Sequence, residues 1–114
     1  MEYLTLDIKS EMPPADVAVA NLEIEIDSLK HSNIKLIKVI HGYGSHGVGG
    51  EIKKYMVQRL LTLKKERKIK DFINCEKLSD EFIKEKGLYD NFPQLALDSD
   101  LKNYNSGITL VLLN

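Results

Sequence analysis

The sequence predicts an α/β fold in which helices pack on a sheet of four strands. Apolar segments of strand length alternate with longer segments of helical period over residues 1–74. A last segment, residues 107–113, is almost entirely apolar and is expected to be a central strand. The chain has 114 residues, 43% of them apolar and 29% charged, which suits a single folded domain spanning 1–114. The predicted order is β-α-β-α-β-β, with a helical insertion before the last strand.

The first strand is predicted at residues 2–9, because "EYLTLDIK" alternates between polar and apolar side chains. The following "SEMPP" ends it, and proline is tolerated in a first helical turn. Residues 15–31 carry two patterns, since "NLEIEID" alternates like a strand within a longer helical spacing. That spacing comprises Ala15, Val19, Leu22, Ile26 and Leu29. The length and the proline start favour a helix.

The second strand and second helix follow directly. "SNIKLIKVIH" (32–41) is rich in β-branched residues, which favours a strand. "GEIKKYMVQRLLTLKKER" (50–67) places one apolar face at helical spacing. That face consists of Ile52, Met56, Leu60 and Leu63.

The rest of the chain predicts two further strands and a long connection. "KIKDFIN" (68–74) reads as the third strand and "GITLVLL" (107–113) as the fourth. Residues 75–106, hereafter the insertion, are polar, with a helix expected near residues 78–86 and turns at Pro93 and "NYNSG". A plain loop of this length is unusual in a compact domain, which indicates a folded insertion.

The segment "HGYGSHGVGG" (41–50) holds five of the seven glycines and joins the second strand to the second helix. The carboxyl ends of parallel strands share one sheet edge, where ligands of open α/β sheets usually bind. Lys9 and Ser10 leave the first strand at this edge, and His41 leaves the second. A glycine loop that opens a helix presents free N–H groups to an anion such as phosphate, with Lys53 and Lys54 close behind.

Other interpretations of this loop remain open. Gly42-x-Gly44-x-x-Gly47, with Asp71 downstream, matches a dinucleotide-binding pattern, but it follows the second strand and leaves too little chain for a cofactor domain. A tight connection that needs positive φ explains one or two of the glycines. His41 and His46 suit a general base or a phosphate donor, and equally a neutral residue that holds the loop.

Charge and cysteine content narrow the function class. The net charge is −1, yet residues 51–70 carry eight basic and two acidic residues, between two acidic stretches. This basic block suits either the solvated end of a helix or a nucleic-acid backbone. The single cysteine, Cys75, excludes an internal disulfide and is expected to be structural in a reducing, cytoplasmic setting. No signal peptide, membrane span, zinc-ligand spacing or cofactor is predicted.

Three segments together resemble the small MutS-related (Smr) domain family. "VIHGYGSHGVGGEIKKYMVQRL" is similar to its His-Gly-x-Gly motif, here His41 to Gly44, between an apolar strand and a helix. "LTLDIKS" matches the place of its Leu-Asp-x-His-Gly motif, and "GITLVLL" resembles its closing strand. The family's first-motif histidine and glycine are Lys9 and Ser10 in this sequence, although Leu6 and Asp7 remain.

The resemblance implies a two-layer α/β sandwich with a mixed four-stranded sheet. It also implies nucleic-acid binding, and nuclease activity in several family members. Asp7 and His41 are then the predicted catalytic residues, with a divalent cation required only for cleavage. Because a lysine normally stays charged, Lys9 favours phosphate binding over proton transfer. The full predicted phosphate-binding set is Lys9, His41, Gly42, Tyr43, Gly44, Ser45, His46, Gly47, Lys53 and Lys54.

Three functions follow as hypotheses. The first is binding of branched DNA or structured RNA with weak or no cleavage. The second is an active DNA-nicking or RNA-cleaving endonuclease, for which DNA repair is the expected setting. The third is a protein-interaction module that uses residues 76–103, which could instead form an acidic lid over the nucleic-acid site. No membrane partner is expected.

Overall fold

The computed structural model describes residues 2–42, 48–78, 87–101 and 105–114. The helix expected near residues 78–86 therefore lies, apart from Leu78, outside the described residues, as do Tyr43, Gly44, Ser45, His46 and Gly47. The predicted α/β class and the mixed four-stranded sheet are confirmed.

The elements follow the predicted order, and the strands are shorter than their sequence patterns. They are β1 (Leu4–Asp7), α1 (Ala15–Ser28), β2 (Leu36–Ile40), α2 (Val48–Lys65), β3 (Asp71–Asn74) and β4 (Ile108–Leu112). The insertion contributes a short helix α3 (Leu88–Asn91) and 3₁₀ turns at Cys75–Lys77, Pro93–Leu97 and Ser99–Leu101. Among the described helices, none is both long and apolar enough to cross a membrane.

The strand order across the sheet is β1-β2-β4-β3. β1 pairs with β2 in parallel, and β4 is antiparallel to both of its neighbours, β2 and β3. β1, β2 and β3 therefore run in one direction, and the mostly apolar β4 is central, as expected. Both helices return against these parallel strands, so α1 and α2 run in the same direction as each other.

The helix side of the sheet holds the first of two apolar clusters. The helical face predicted for α2 is confirmed, since Ile52, Met56, Leu60 and Leu63 are all buried. Helix is also the correct choice for residues 15–28, where Pro14 precedes the first turn and accepts the Ala18 N–H at 3.0 Å. The helices meet these sheet residues: Leu6, Ile8, Ile37, Val39, Phe72, Val111 and Leu113.

The insertion covers the opposite side of the sheet. Leu88, Phe92, Leu95 and Leu101 from the insertion are buried with alternate residues of the strands. Those strand residues are Leu36, Ile73, Ile108 and Leu110. The described part of the insertion is therefore a second cover of the core. Deleting residues 76–103 to test a lid would expose this face of the sheet, so the lid hypothesis needs a point substitution instead.

Two polar features lie within the insertion side. Lys38, at the middle of β2, is 5% exposed, and its Nζ lies 3.0 and 2.8 Å from the two carboxylate oxygens of Asp98. The Tyr3 hydroxyl donates to the same carboxylate at 2.8 Å. Cys75 is buried nearby, and burial raises the pKa of its thiol to about 12. A thiol that stays protonated agrees with the structural role expected for it.

Candidate functional site

The site candidate is the sheet edge at which β1 and β2 end, hereafter the carboxyl edge. Parallel pairing places Asp7 opposite Ile40, and the Ile8 N–H donates to the Ile40 carbonyl at 3.0 Å. Lys9 and Gly42 therefore leave the sheet side by side. The sequence-based prediction that both connections meet at one edge is confirmed.

Asp7 caps the end of β1. Its Oδ1 accepts the backbone N–H groups of Lys9 at 2.9 Å and Ser10 at 3.0 Å, which is the geometry of an Asx turn. Partial burial would raise the pKa of Asp7, but the hydrogen bonds from Lys9 and Ser10 and the Lys9 charge lower it below its ordinary value. The carboxylate is thus ionised and engaged in shaping the turn.

Gly42 has a steric role that involves Lys9. Its φ of +80° lies in the left-handed region, and a Cβ at this position would stand 2.9 Å from Lys9 Cδ. On its other side, the N–H groups of His41 and Gly42 donate to the Gly107 carbonyl at 3.0 and 3.1 Å. The missing side chain therefore leaves room for the Lys9 stem, whose ammonium reaches the surface 3.7 Å from Asp7 Oδ2.

His41 is fully buried on the helix side of this edge. Its Nδ1 lies 3.1 Å from the Gly42 carbonyl oxygen, and its Nε2 lies 2.9 Å from the Thr109 hydroxyl. Thr109 in turn lies 2.8 Å from Asn74 Oδ1. One polar chain therefore links the ends of β2, β4 and β3.

Two placements of the protons satisfy all the hydrogen bonds in the series from Gly42 through His41 and Thr109 to Asn74. If Thr109 donates to Asn74 Oδ1, both ring nitrogens must donate and the imidazole is charged. In the second placement the ring is neutral, and its proton on Nδ1 is donated to the Gly42 carbonyl. The Thr109 hydroxyl then donates to Nε2, and the Asn74 amide is rotated so that its Nδ2 donates to the Thr109 oxygen. Burial lowers the pKa of His41 to about 4, partly offset by the Gly42 hydrogen bond, so the neutral arrangement prevails at physiological pH.

Asp7 and His41, the two predicted catalytic residues, are not brought together. Leu6 and Ile8 belong to the helix-side cluster, so strand alternation directs Asp7 to the other face, whereas His41 points toward Thr109 on the helix side. Within the described ranges, no hydrogen bond or ion pair joins the two side chains. The buried ring has both nitrogens in hydrogen bonds to protein groups.

The two predicted lysines of α2 differ from one another. Lys53 Nζ forms an ion pair with Glu76 at the start of the insertion and donates to the Ser106 carbonyl at 3.1 Å. Lys54 is exposed, with no ion pair to any described residue. Among the predicted cations, Lys54 has no ion pair to a described residue and Lys9 has only a 3.7 Å contact with Asp7, so both are more available than Lys53, where an anion would compete with Glu76.

The basic block of residues 64–70 does not extend this site. α2 has 18 residues and is about 27 Å long, so its last turn lies about 20 Å from its first. Lys64 pairs with Asp71 at 3.0 Å, and Arg59 pairs with Glu23 of α1 at 2.6 Å. The block is better described as the solvated end of a helix than as a continuous phosphate track.

Sequence reasoning missed five residues around this edge, namely Asn74, Glu76, Ser106, Gly107 and Thr109. Thr109 gave a usable signal, because a lone hydroxyl inside an apolar strand needs a buried partner. The sequence around Glu76 contains no comparable signal, because the contact of Glu76 with Lys53 depends on how the insertion folds. In the described part of the chain, no group of three His, Cys, Asp or Glu side chains is placed to hold a metal ion.

No protein family, curated protein or solved structure gave a significant match to this chain.

Proposed function

We propose that the protein binds structured nucleic acid through phosphate contacts at the carboxyl edge. The observation that carries the proposal is the stacking of the Lys9 stem against Gly42 at the shared end of two parallel strands. A lysine stem packed on a glycine brings a surface ammonium to the same edge as an unobstructed backbone, which suits contact with a phosphate oxygen. The resemblance to the Smr family supports the same assignment, as part of this proposal.

Binding is proposed rather than cleavage. A general base needs a nitrogen or oxygen that can reach the substrate, and both ring nitrogens of His41 are buried in hydrogen bonds. Lys9 occupies the position of the family histidine and supplies charge instead of proton transfer. Asp7 accepts two backbone hydrogen bonds, which suits a turn-forming role.

We propose that the insertion contributes less to partner binding than the carboxyl edge does. Most of its described apolar residues face the sheet, so they are occupied within the chain. Its acidic residue Glu76 instead affects the proposed site, because it holds Lys53. The observations therefore favour the carboxyl edge over residues 76–103 as the place where a partner binds.

Fluorescence anisotropy with labelled branched DNA and hairpin RNA at several salt concentrations tests the proposal. Two or three phosphate contacts predict a log–log salt slope of about −2 to −3. Lys9→Ala should weaken binding and reduce the slope by about one. The matched control is Lys77→Ala, an exposed lysine on the insertion, which should leave both values unchanged.

A flat signal for both nucleic acids at low salt would refute the proposal. Incubating the same complexes with Mg²⁺ tests cleavage, for which Asp7→Asn is the informative variant because Asp7 is a surface residue. His41→Ala would report mainly on folding, since it empties a buried position. Cleavage that is lost in Asp7→Asn would restore the endonuclease hypothesis.

A further inference from the structure

The outward face of the two helices is a second surface, which shares only Lys54 with the cations available to the proposed function. Four of its large apolar side chains remain exposed: Val17 by 46%, Ile24 by 65%, Tyr55 by 41% and Leu61 by 55%. Val17 and Ile24 lie seven residues apart on α1, opposite its buried side. Tyr55 and Leu61 lie six residues apart on α2 and therefore point about 120° apart around its axis, so they border the outward side of α2 from its two flanks.

Charges flank these apolar residues with opposite signs on the two helices. α1 contains four acidic residues and no basic one, and its exposed Asp16 and Asp27 are eleven residues apart. α2 presents exposed Lys54 and Lys65, which are also eleven residues apart. Both separations correspond to about 16 Å along a helix. Within the described chain, none of these four residues forms an ion pair.

The Glu23–Arg59 pair fixes how the two patterns are aligned. Arg59 contacts both carboxylate oxygens of Glu23, at 2.6 and 3.3 Å, so these residues mark a common level of the two helices to within the reach of their side chains. Counting from this level, Asp16 lies about 3 Å beyond Lys54 and Asp27 lies about 3 Å short of Lys65 along the common axis. Both offsets have the same direction and size, well within the reach of a lysine side chain.

We infer that this outer helix face pairs with the same face of a second copy of the chain. A two-fold axis parallel to the helices places α1 of one copy on α2 of the other and keeps their heights. Asp16 then faces Lys54 and Asp27 faces Lys65, twice over, around the apolar residues of both copies. The other in-plane axis would place α1 on α1, which brings acidic residues together and is disfavoured.

The area of the outer helix face determines how tightly the two copies are expected to bind each other. Two adjacent helices about 21 and 27 Å long and together about 20 Å wide give a footprint of about 500 Å² per copy. This falls at the small end of specific interfaces. The dimer is therefore expected to be weak, concentration-dependent and sensitive to salt.

Sedimentation velocity on the full chain tests the inference between about 10 μM and 1 mM protein, at low and high salt. The wild type should pass from a 13.0 kDa monomer toward a dimer as concentration rises, and high salt should weaken the dimer. The variants D16K/D27K and K54E/K65E should each lose at least about ten-fold in self-association, because like charges then face each other.

A 1:1 mixture of the two charge-reversed variants should restore the dimer. In the mixed pair, the reversed α1 of one variant faces the reversed α2 of the other, and the remaining two helices keep their natural charges. K70E/K77E is the matched control for K54E/K65E, since it makes the same charge change at exposed lysines away from the outer helix face. Circular dichroism on each variant separates loss of pairing from loss of fold.

A wild type that stays monomeric at about 1 mM in low salt would overturn the inference. So would charge-reversed variants that dimerise as well as the wild type, or a mixture that fails to restore pairing. Self-association lost in both variants and recovered only in their mixture is the result that identifies a second copy as the occupant.

Discussion

In the part of the chain that the structure describes, each face of the sheet buries a polar network, and the two networks differ in charge. On the helix side, His41, Thr109 and Asn74 form a chain that is neutral at physiological pH. On the insertion side, Lys38 and Asp98 form an ion pair whose side chains are 6% and 10% exposed. A neutral network can be satisfied by turning hydrogen bonds, whereas a buried ion pair requires both partners. The insertion is therefore held by a contact that fails if either charge is removed.

The largest effect is expected when the ion pair is broken on one side. Asp98→Ala leaves the Lys38 ammonium buried without its carboxylate and should lower the free energy of unfolding by about 3–5 kcal/mol. Lys38→Met combined with Asp98→Leu removes both charges and should cost much less. Urea denaturation measures both variants.

A surface pair provides the control for this experiment. Glu23→Ala breaks the partly exposed pair with Arg59 and should cost less than about 1 kcal/mol. A loss in Asp98→Ala no larger than that of Glu23→Ala would show that the Lys38–Asp98 contact is energetically equivalent to a surface pair.

The helix-side network should make stability depend on pH. The pKa of His41 falls from 6.5 in the unfolded chain to about 4 in the folded one. The unfolded state therefore binds the extra proton first, so the stabilisation is complete above the unfolded pKa and is lost as pH falls toward 4. The expected loss is about 3 kcal/mol.

His41→Gln isolates this dependence from the titration of carboxylates. The variant lacks the titrating ring, so its deficit in unfolding free energy relative to the wild type should shrink between about pH 7 and pH 4. A deficit that is constant across this range would mean that His41 is not held neutral by burial.

Much of this fold was predictable from the sequence, while the networks were not. Period and length were sufficient for the helices and strands, because apolar spacing depends only on local geometry. Lys38 in "LIKVI" and Thr109 in "GITLVLL" are single polar residues inside apolar strands, which indicates buried partners without naming them. Their partners are distant in the sequence. The path of the insertion brings Asp98 to Lys38, and the strand order brings Asn74 to Thr109. For the site, the meeting of Lys9 and Gly42 was predictable, whereas the burial of His41 and the pairing of Lys53 were not.

Gly42→Ala tests the carboxyl edge with a smaller effect. A Cβ at positive φ that also contacts Lys9 Cδ should cost about 1–2 kcal/mol and displace the Lys9 ammonium. Nucleic-acid binding should weaken together with stability, as measured by anisotropy and urea denaturation.

Gly87→Ala is the matched control for this substitution. Gly87 also has positive φ, at 61°, but its added Cβ would meet only Asn91 Nδ2 at 3.7 Å. It should lose about 1 kcal/mol of stability and keep full nucleic-acid affinity. If Gly42→Ala and Gly87→Ala lost the same nucleic-acid affinity, the Lys9–Gly42 contact would not be what binds the nucleic acid.

The smallest effect is expected for the contact between the insertion and the site. Glu76→Gln should release Lys53 toward a phosphate and raise nucleic-acid affinity by about three- to ten-fold, with little change in stability. Glu23→Gln removes the same charge from another lysine- or arginine-bound carboxylate and should show only the general electrostatic gain. Equal gains in the two variants would mean that Glu76 acts through net charge alone.

The position of β4 has a consequence for how the chain acquires its structure. β4 follows every other strand in the sequence, yet it lies between β2 and β3. During synthesis, β2 and β3 emerge with hydrogen-bonding groups that stay unpaired until the last strand arrives, a state prone to aggregation. We therefore expect the sheet to be completed late, in one cooperative step that joins its two halves. Substitutions in β4 should then slow folding more than equally destabilising substitutions in β1.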